Sequence, residues 1–245
     1  MANPPEQLFT TVELGRQVGY SAQQVRDLER LGVIPEAARG ANGYRRYRRE
    51  HLVTLRAYRA LAASVGPVPA RRLMPRLVAA PIDEVAESID ELHATLAGAR
   101  ARVRGARRAM EAVLGDSGDV FAADDAMTIG ELADALGVRP SALRHWEHEG
   151  LVAPGRRVTG ARSYGAGAIA EARLVAVLRE GGYPIPTIGR VLDQLRTGRS
   201  GVGASRLLDA RLADLTRRSV ALLEAAGHLH AFLLGNSERS EVARG

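Results

Sequence analysis

The sequence predicts a mainly α-helical protein made of two tandem copies of one unit. In each copy a helix-turn-helix precedes an arginine-rich hairpin, a helical hairpin and a long coiled-coil helix. Three observations lead to this prediction. The chain resembles itself when it is shifted by about half its length, short apolar helices alternate with glycine turns, and each copy ends in apolar residues spaced three and four apart. With 245 residues the chain is long enough for two such units.

Internal similarity defines the repeat. Residues of the first copy recur in the same order in the second, at a shift of 118 and then, after one residue is dropped, of 117. The pairs are Thr10 and Thr128, Glu13 and Glu131, Leu14 and Leu132, Gly19 and Gly137, Arg26 and Arg144, Glu29 and Glu147, Gly32 and Gly150, Arg39 and Arg156, Gly43 and Gly160, Arg45 and Arg162, and Tyr47 and Tyr164. This order and spacing predict a tandem duplication.

Each copy begins with two short helices separated by a glycine. The first helix is expected over 10–18 and, in the second copy, over 128–136. Gly19 supplies the tight turn in the first copy, because glycine tolerates the backbone angles that such a turn requires. The second helix is expected to start near Ser21, a good N-cap, or near Pro140, a good first helical residue. Two helices joined in this way predict a helix-turn-helix.

The remaining elements follow in the same order in both copies. Arginine-rich hairpins are predicted over 33–48 and 151–165, and helical pairs over 50–63 with 70–79 and over 167–180 with 187–196, each pair divided by Pro-x-Pro. The first long helix carries a heptad seam, which favours a coiled coil: Ile82, Val85, Ile89, Leu92, Leu96, Ala99, Val103, Ala106, Met110 and Val113. The second seam contains Leu208, Leu212, Leu215, Ser219, Leu222, Ala226, Leu229 and Leu233.

Five segments are therefore expected along the chain. They are a first helix-turn-helix domain over 8–80, a first coiled-coil helix over 82–114, an acidic linker over 115–127, a second helix-turn-helix domain over 128–198 and a second coiled-coil helix over 203–234. The residues from Gly235 onwards are polar, and we expect them to fray.

Composition narrows the classes of function. Cysteine is absent, which excludes disulfides, thiolate metal sites and cysteine nucleophiles. All 34 basic residues are arginine, and the net charge of +6 favours a polyanionic partner. No phosphate-binding loop, dinucleotide fingerprint or nucleophile elbow is present, so we expect no enzyme, no catalytic residue, no cofactor and no metal site. Without a long apolar run or a signal peptide, a cytoplasmic protein is expected, with no membrane partner.

Two stretches of the sequence carry a family resemblance. The segment 127–154, MTIGELADALGVRPSALRHWEHEGLVAP, resembles the N-terminal DNA-binding segment of the MerR family of transcription regulators. In the first copy, VRDLERLGVIP at 25–35 and GYRRY at 43–47 are similar to the same pattern. The resemblance implies two winged helix-turn-helix domains, each followed by a helical hairpin and a long helix of a dimerising antiparallel coiled coil.

The residues themselves indicate how DNA would be contacted. A helix-turn-helix inserts its second helix into the major groove with the N-terminal side chains nearest the base edges. The base readers expected on this ground are Ser21, Gln23, Gln24 and Arg26 in the first copy, and Arg139, Ser141, Arg144 and His145 in the second. Phosphate contacts are expected from wing residues Arg39, Tyr44, Arg45, Arg46 and Tyr47, and from Arg156, Arg162 and Tyr164.

Two further expectations concern the DNA preference of the two copies and ion pairs on their second helices. Because the readers differ, the copies are expected to prefer different half-sites, and the second wing is expected to bind less strongly since Ala161 stands where the family has tyrosine. On the second helices, Arg26 with Glu29 and Arg144 with Glu147 have the spacing of local ion pairs.

The leading hypothesis is a sequence-specific transcription regulator of double-stranded promoter DNA in the bacterial nucleoid. The resemblance implies that it distorts the promoter, and RNA polymerase holoenzyme is a partner if the protein activates. One chain is expected to act as an intramolecular pseudo-dimer, with a homodimer as the other possibility. Two alternatives stay open: an architectural DNA-bending or excision-type protein, and a helical scaffold with decayed DNA modules.

Overall fold

The computed structural model describes residues 8–115, 126–156, 162–196 and 202–242. The helices and strands in these residues are α1 (Thr11–Val18), α2 (Ala22–Arg30), β1 (Ala38–Arg39), β2 (Arg45–Arg46), α3 (Arg49–Val65), α4 (Pro67–Ala79), α5 (Ile82–Gly115), α6 (Ile129–Leu136), α7 (Pro140–His148), β3 (Gly155–Arg156), β4 (Arg162–Ser163), α8 (Ala166–Glu180), α9 (Ile185–Arg196) and α10 (Val202–Val242). The predicted mainly α-helical fold is confirmed. Most of the expected acidic linker (116–125) and the tip of the second hairpin (157–161) lie outside the described residues.

Both copies begin with a capped helix and a glycine turn. Before α1, Thr10 Oγ1 accepts a hydrogen bond from the Glu13 backbone N–H at 3.3 Å, and Glu13 Oε2 accepts one from the Thr10 N–H at 2.8 Å. Thr128 repeats this capping box before α6. Gly19 and Gly137 end these helices at φ of 79° and 63°, in the left-handed region that favours glycine. These reciprocal caps explain why the helices begin within one residue of the expected positions.

A short antiparallel hairpin follows each helix-turn-helix. In the first copy β1 pairs with β2, with Ala38 opposite Arg46. The chain before α1 completes this wing, since the backbone N–H and C=O groups of Phe9 and Tyr47 exchange hydrogen bonds of 2.7 and 2.9 Å. Met127 and Tyr164 form the equivalent bridge beside β3 and β4. Each wing is therefore anchored to the start of its own unit.

The helical hairpin of the first copy, α3 with α4, turns at one residue. Gly66 has a φ of 95° and ends α3, and Pro67 is already the first residue of α4. The expected break over Pro-x-Pro is therefore shorter than predicted. Proline is accepted in the first helical turn because its missing N–H has no partner there in any case.

The two helical hairpins are fastened to their helix-turn-helices by different contacts. In the second copy, Arg196 at the end of α9 donates to the carbonyls of Gly150 and Leu151 at 3.1 and 3.2 Å, and to Glu171 Oε1 of α8 at 2.7 Å. In the first copy, Arg59 of α3 donates instead to the carbonyl of Val18 at the end of α1, at 3.2 Å. The Arg196 hydrogen bonds hold the turn that follows α7, the second helix of its module. The Arg59 hydrogen bond holds the end of α1, the first helix of its module.

Each module buries its own apolar core. The largest fully buried side chains of the first module are Leu14, Ile34, Tyr47, Leu55, Leu61 and Met74, and those of the second are Leu132, Leu143, Tyr164, Ile169 and Leu178. The helix-turn-helix, the wing and the helical hairpin all contribute to these cores, so each module holds its recognition helix and wing in a fixed relation.

The long helices follow the heptad prediction in part. The α5 seam buries Val85, Leu96, Val103, Ala106 and Met110, while Ile82 at its first residue is exposed. The α10 seam buries Leu208, Leu215, Leu222 and Leu229, and also two residues outside the predicted seam, Ala225 and Phe232. The prediction that α10 ends at residue 234 is wrong, because the helix continues to Val242.

The chain divides into two compact units, each of which contains parts of both long helices. The first unit is Met1–Leu96 together with Leu215–Gly245, and the second is Ala97–Asp214. Each therefore combines one module with one half of α5 and the opposite half of α10. No helix in the described residues is long and apolar enough to cross a membrane.

Specific contacts hold the halves of the long helices within their units. In the first unit, Arg218 Nε of α10 donates to the carbonyl of Ser64 at the end of α3, at 2.5 Å. Phe232 of the same helix lines one cavity together with Arg49 and Val53 at the start of α3. In the second unit, Arg107 Nη1 of α5 pairs with Asp209 Oδ1 of α10 at 3.0 Å. The last part of α10 thus packs on the first module, which precedes it in the chain by more than a hundred residues.

Candidate nucleic-acid interface

The N-terminal end of α2 is held by two of the expected base readers. Ser21 Oγ accepts a hydrogen bond from the backbone N–H of Gln24 at 3.2 Å, and Gln24 Oε1 accepts one from the Ser21 N–H at 2.8 Å. This capping box uses the acceptor atoms of both side chains. Ser21 and Gln24 thus fix the start of α2, and their expected role as base readers stays a prediction.

The exposed face of α2 carries a chain of polar contacts. Arg26 Nη2 donates to Gln23 Oε1 at 2.9 Å, and Gln23 Nε2 donates to Asp27 Oδ1 at 3.1 Å. The same carboxylate oxygen accepts from Arg30 Nη2 at 2.8 Å. Gln23 and Arg26 are thus expected readers outside the capping box, and Asp27 orients the amide of Gln23.

The first wing contains both exposed and anchored residues. Tyr44, at the end of the turn, is 72% exposed. Arg39 is also exposed, and its Nη1 approaches the carbonyl of Gly43 at 3.4 Å. Arg46 is half-buried beside them on β2. These three side chains occupy one hairpin, as predicted for phosphate-contacting residues.

Glu29 is the hub that joins α2 to the first wing. Its carboxylate accepts hydrogen bonds from Arg45 Nε at 2.7 Å, from the Tyr47 hydroxyl at 3.0 Å and from the backbone N–H of Ala37 at 3.0 Å. The expected Arg26–Glu29 ion pair is therefore wrong, since Glu29 turns toward the wing. Tyr47 is fully buried, and its expected role at phosphate is corrected to a structural one.

Burial also fixes the protonation state of the tyrosines in these hubs. Burial, reinforced by the hydrogen bond to Glu29, raises the pKa of Tyr47 to about 12. Burial and the hydrogen bond to Glu147 likewise raise the pKa of Tyr164. Both hydroxyls therefore remain donors to their glutamates near neutral pH.

The second recognition helix, α7, begins without a side-chain cap. Arg139 occupies the N-cap position but makes no capping hydrogen bond, and Pro140 follows as the first helical residue. The expected readers Arg139, Ser141, Arg144 and His145 are all exposed. His145 Nδ1 lies 3.9 Å from Glu149 Oε1, one turn further along. Apart from the shared arginine at Arg26 and Arg144, the two recognition helices thus present different chemical groups at equivalent positions.

The second wing repeats the glutamate hub. Glu147 accepts from Arg162 Nε at 2.9 Å and from the hydroxyl of Tyr164, which is fully buried. The expected Arg144–Glu147 pair and the phosphate role of Tyr164 are therefore corrected in the same way as their counterparts. The side chain of Arg156 lies outside the described residues, as does Ala161.

The hubs were missed by local reasoning, although the sequence contains their signal. Glu29, Arg45 and Tyr47 all recur in the second copy as Glu147, Arg162 and Tyr164. A glutamate, an arginine and a tyrosine that are kept together through a duplication indicate mutual contact. The i,i+3 rule favoured the wrong partner because it considers only one helix.

Each module has a helix-turn-helix, a basic wing and a glutamate that ties the recognition helix to that wing. These features together define a class of protein, the DNA-binding regulators. The model of the MerR HTH regulatory family matches residues 9–66 and 127–195, one match in each module. The chain belongs to this family of helix-turn-helix regulatory proteins.

Two curated relatives are similar to parts of the chain. The nodulation protein NolA of Bradyrhizobium sp. (strain NC92) is 41% identical over 66 residues, which are 26% of this chain and 28% of that protein. NolA of Bradyrhizobium elkanii is 32% identical over 103 residues, which are 37% of this chain and 47% of that protein. The chain thus spans less than half the length of these relatives. No solved structure matches it significantly.

Proposed function

We propose that one chain acts as an intramolecular pseudo-dimer, whose two modules bind the two unlike halves of a single operator. The observation that carries this proposal is the composition of the compact units. Each unit combines one module with half of the long helix that follows the other module. In a homodimer a partner chain would supply that half, whereas here the same chain does so.

The groups on the recognition helices support unlike half-sites. In the first module the proposed base-reading side chains are Ser21, Gln23, Gln24 and Arg26. In the second they are Arg139, Ser141, Arg144 and His145. Glutamine pairs with adenine and arginine with guanine in the major groove, so the two sets favour different bases. Phosphate contacts are proposed from Arg39, Tyr44, Arg45 and Arg46 in the first wing and from Arg156 and Arg162 in the second.

Distortion of promoter DNA is the second part of the proposal. DNA that is bound by both modules can be bent or untwisted, and this deformation costs a few kcal/mol that contacts to the DNA backbone offset. The outcome for transcription is read with RNA polymerase holoenzyme in a run-off assay. Increased transcript identifies an activator and decreased transcript a repressor. Unchanged transcript with bent DNA identifies the architectural alternative and contradicts a regulatory role.

Stoichiometry on DNA tests the pseudo-dimer. At nanomolar concentration, light scattering of the complex should give one chain of 26.2 kDa per operator. A variant that combines Arg26→Ala with Arg144→Ala serves as the control that loses specific binding while keeping the fold. Two chains per operator at that concentration, or equal affinity for an isolated half-site, would overturn the proposal. If the native chain binds no DNA, that result would instead support the alternative of a helical scaffold with decayed DNA modules.

A further inference from the structure

A cavity of about 320 Å³ lies beside the recognition helix of the first module. This α2 cavity is bounded by α2, by α3 and by the start of α4, and all of its lining residues belong to the one module. The rings of Tyr20 and Tyr58 line it next to each other, with their centroids 6.2 Å apart, and Leu28 and Leu31 of α2 add apolar surface. Its size and lining are those of small-molecule sites, which are mostly apolar and carry a few polar groups.

The second module has different side chains at the equivalent positions. At the repeat shifts of 118 and 117, Tyr20, Leu28, Tyr58 and Arg71 correspond to Val138, Trp146, Val175 and Ile188. Trp146, Val175 and Ile188 are all buried there. A leucine in place of a tryptophan removes volume, and space that the neighbours do not fill remains as a cavity. The first module therefore has an opening lined by tyrosines and an arginine where the second has apolar core residues.

One side of the α2 cavity favours a negatively charged group. Arg71 lines it, and Arg71 Nε donates to the carbonyl of Pro67 at 3.2 Å. The guanidinium makes no other contact in the part of the chain that the structure describes, so its Nη–H groups are available to an anion. The first turn of α4 also contains no acidic residue that would balance the positive end of the helix dipole. Arginine binds carboxylates through paired N–H groups, and a carboxylate on an aromatic ring suits the tyrosines.

The α2 side of the cavity supplies a hydrogen-bond acceptor. Asp27 lines the cavity, and its Oδ1 accepts hydrogen bonds from Gln23 Nε2 at 3.1 Å and from Arg30 Nη2 at 2.8 Å. The charge of Arg30 balances that of the carboxylate, which lowers its repulsion of an anionic ligand. An ionised carboxylate can accept several hydrogen bonds, so Asp27 can also accept one from a hydroxyl group of a ligand.

We propose that the α2 cavity binds a small hydroxylated aromatic carboxylate. The carboxylate pairs with Arg71 and the hydroxyl donates to Asp27, while the ring packs against Tyr20 and Tyr58. Because Asp27 also orients the amide of Gln23, the ligand hydroxyl competes with that amide. The ligand should therefore weaken binding to the operator half that α2 contacts. This regulatory consequence rests on the proposed function, whereas binding of the ligand to the cavity does not.

Isothermal titration calorimetry of the full chain without DNA tests the site. The probe is para-hydroxybenzoate, which should bind with a Kd on the order of 100 µM because so small a ligand makes few contacts. Cyclohexanecarboxylate lacks the aromatic ring and para-hydroxybenzyl alcohol lacks the charge, so each should bind at least about tenfold more weakly. Equal affinities for all three compounds, or no binding of para-hydroxybenzoate at about 10 mM, would overturn the proposal.

Variants of the lining residues locate the ligand. Arg71→Gln should weaken binding of para-hydroxybenzoate by about tenfold and leave that of the neutral alcohol unchanged. Arg72→Gln is the matched control, because Arg72 is the next exposed arginine of α4 and does not line the cavity. Leu28→Trp introduces the residue of the second module and should abolish binding, with circular dichroism to verify the fold. Equal losses for the two arginine variants, or native affinity in a folded Leu28→Trp chain, would overturn the proposal.

A second experiment separates the site from the proposed function. On the operator selected from randomised DNA, saturating para-hydroxybenzoate should weaken binding of the native chain by about fivefold or more, and that of Arg71→Gln much less at the same concentration. Linkage requires the operator to weaken ligand binding by the same factor. Unchanged DNA affinity at saturation would overturn the regulatory consequence. If the chain binds para-hydroxybenzoate through Arg71 but binds no DNA, the proposed function fails and the ligand site is supported.

Discussion

The two modules keep the same internal frame and present different surfaces. Each has a threonine–glutamate capping box before its first helix, a left-handed glycine after it, and a glutamate that ties the recognition helix to the wing. Each differs from the other in the cap of the recognition helix, in the wing arginines and in the fastening of the helical hairpin. After the duplication, the contacts that orient the recognition helix were kept, while the exposed groups that would touch DNA diverged.

The capping box, the left-handed glycine and the glutamate hub are the same in both modules because each of these features depends on contacts within its own module. A buried tyrosine hydroxyl without its glutamate would lose its hydrogen bond and keep the cost of burial, so neither partner tolerates independent change. The exposed readers on α2 and α7 have no such constraint. Their divergence is the basis for proposing an operator with two unlike halves.

The largest expected effect comes from breaking a hub. Glu29→Ala should lower the free energy of unfolding by about 2–4 kcal/mol, because it leaves the Tyr47 hydroxyl and the Ala37 N–H without their acceptor. Glu147→Ala should have a smaller effect, since fewer hydrogen bonds to Glu147 are seen in the described residues. Denaturant unfolding of both variants measures the difference. If Glu29→Ala lowers the free energy of unfolding by less than about 0.5 kcal/mol, the effect is no larger than at an ordinary surface position. That result would contradict the stabilising role of the Glu29 contacts.

Changing the readers should separate the two half-sites. Arg26→Ala should weaken discrimination in one half of the operator by about 1–3 kcal/mol, and Arg144→Ala should do so in the other half. Selection from randomised DNA gives the preference at each base pair. Arg30→Ala is the matched control on α2, because Arg30 lies in the last turn of the helix, away from the expected readers, and its loss should leave the base preferences unchanged. A strictly palindromic optimum for the native chain would contradict unlike modules.

The different fastenings should give a smaller effect. Arg196→Ala should lower the free energy of unfolding by about 1–2 kcal/mol, because the carbonyls of Gly150 and Leu151 lose a charged donor. Arg190→Ala is the control on the same helix, since Arg190 bonds only to Thr187 one turn away among the contacts described. Thermal unfolding should show a larger loss of stability for Arg196→Ala than for Arg190→Ala. Equal losses would show that the Arg196 contacts do not stabilise the second module.

The smallest expected effect appears at high pH. The pKa of Tyr47 is raised from its ordinary value near 10 to about 12, so folding favours the neutral phenol. Its contribution to stability is complete below pH about 10 and disappears as the pH rises toward 12. Absorbance at the phenolate band should show Tyr47 ionising late, and Tyr47→Phe should remove one group from that late phase. An unchanged late phase in this variant would contradict the assignment.

The sequence by itself determined the repeat, the starts of the helices in each helix-turn-helix, and the family. Capping residues, left-handed glycines and apolar spacing act over a few residues, so Thr10, Gly19 and Pro140 specify local structure wherever the rest of the chain lies. The recognition-helix pattern resembles the MerR family for the same reason, because it is a local motif.

Only the tertiary structure decided which polar groups are available to DNA. Glu29 was expected to pair along its own helix but instead joins a wing that follows it in the chain, and Tyr47 is buried although tyrosine in a basic hairpin favours a surface role. Likewise, the last part of α10 packs on the first module, as Arg218 and Ser64 show. These contacts join residues that are far apart in the sequence. They depend on how the whole core packs, because each side chain must fill the space that the others leave. A local periodicity therefore cannot predict them.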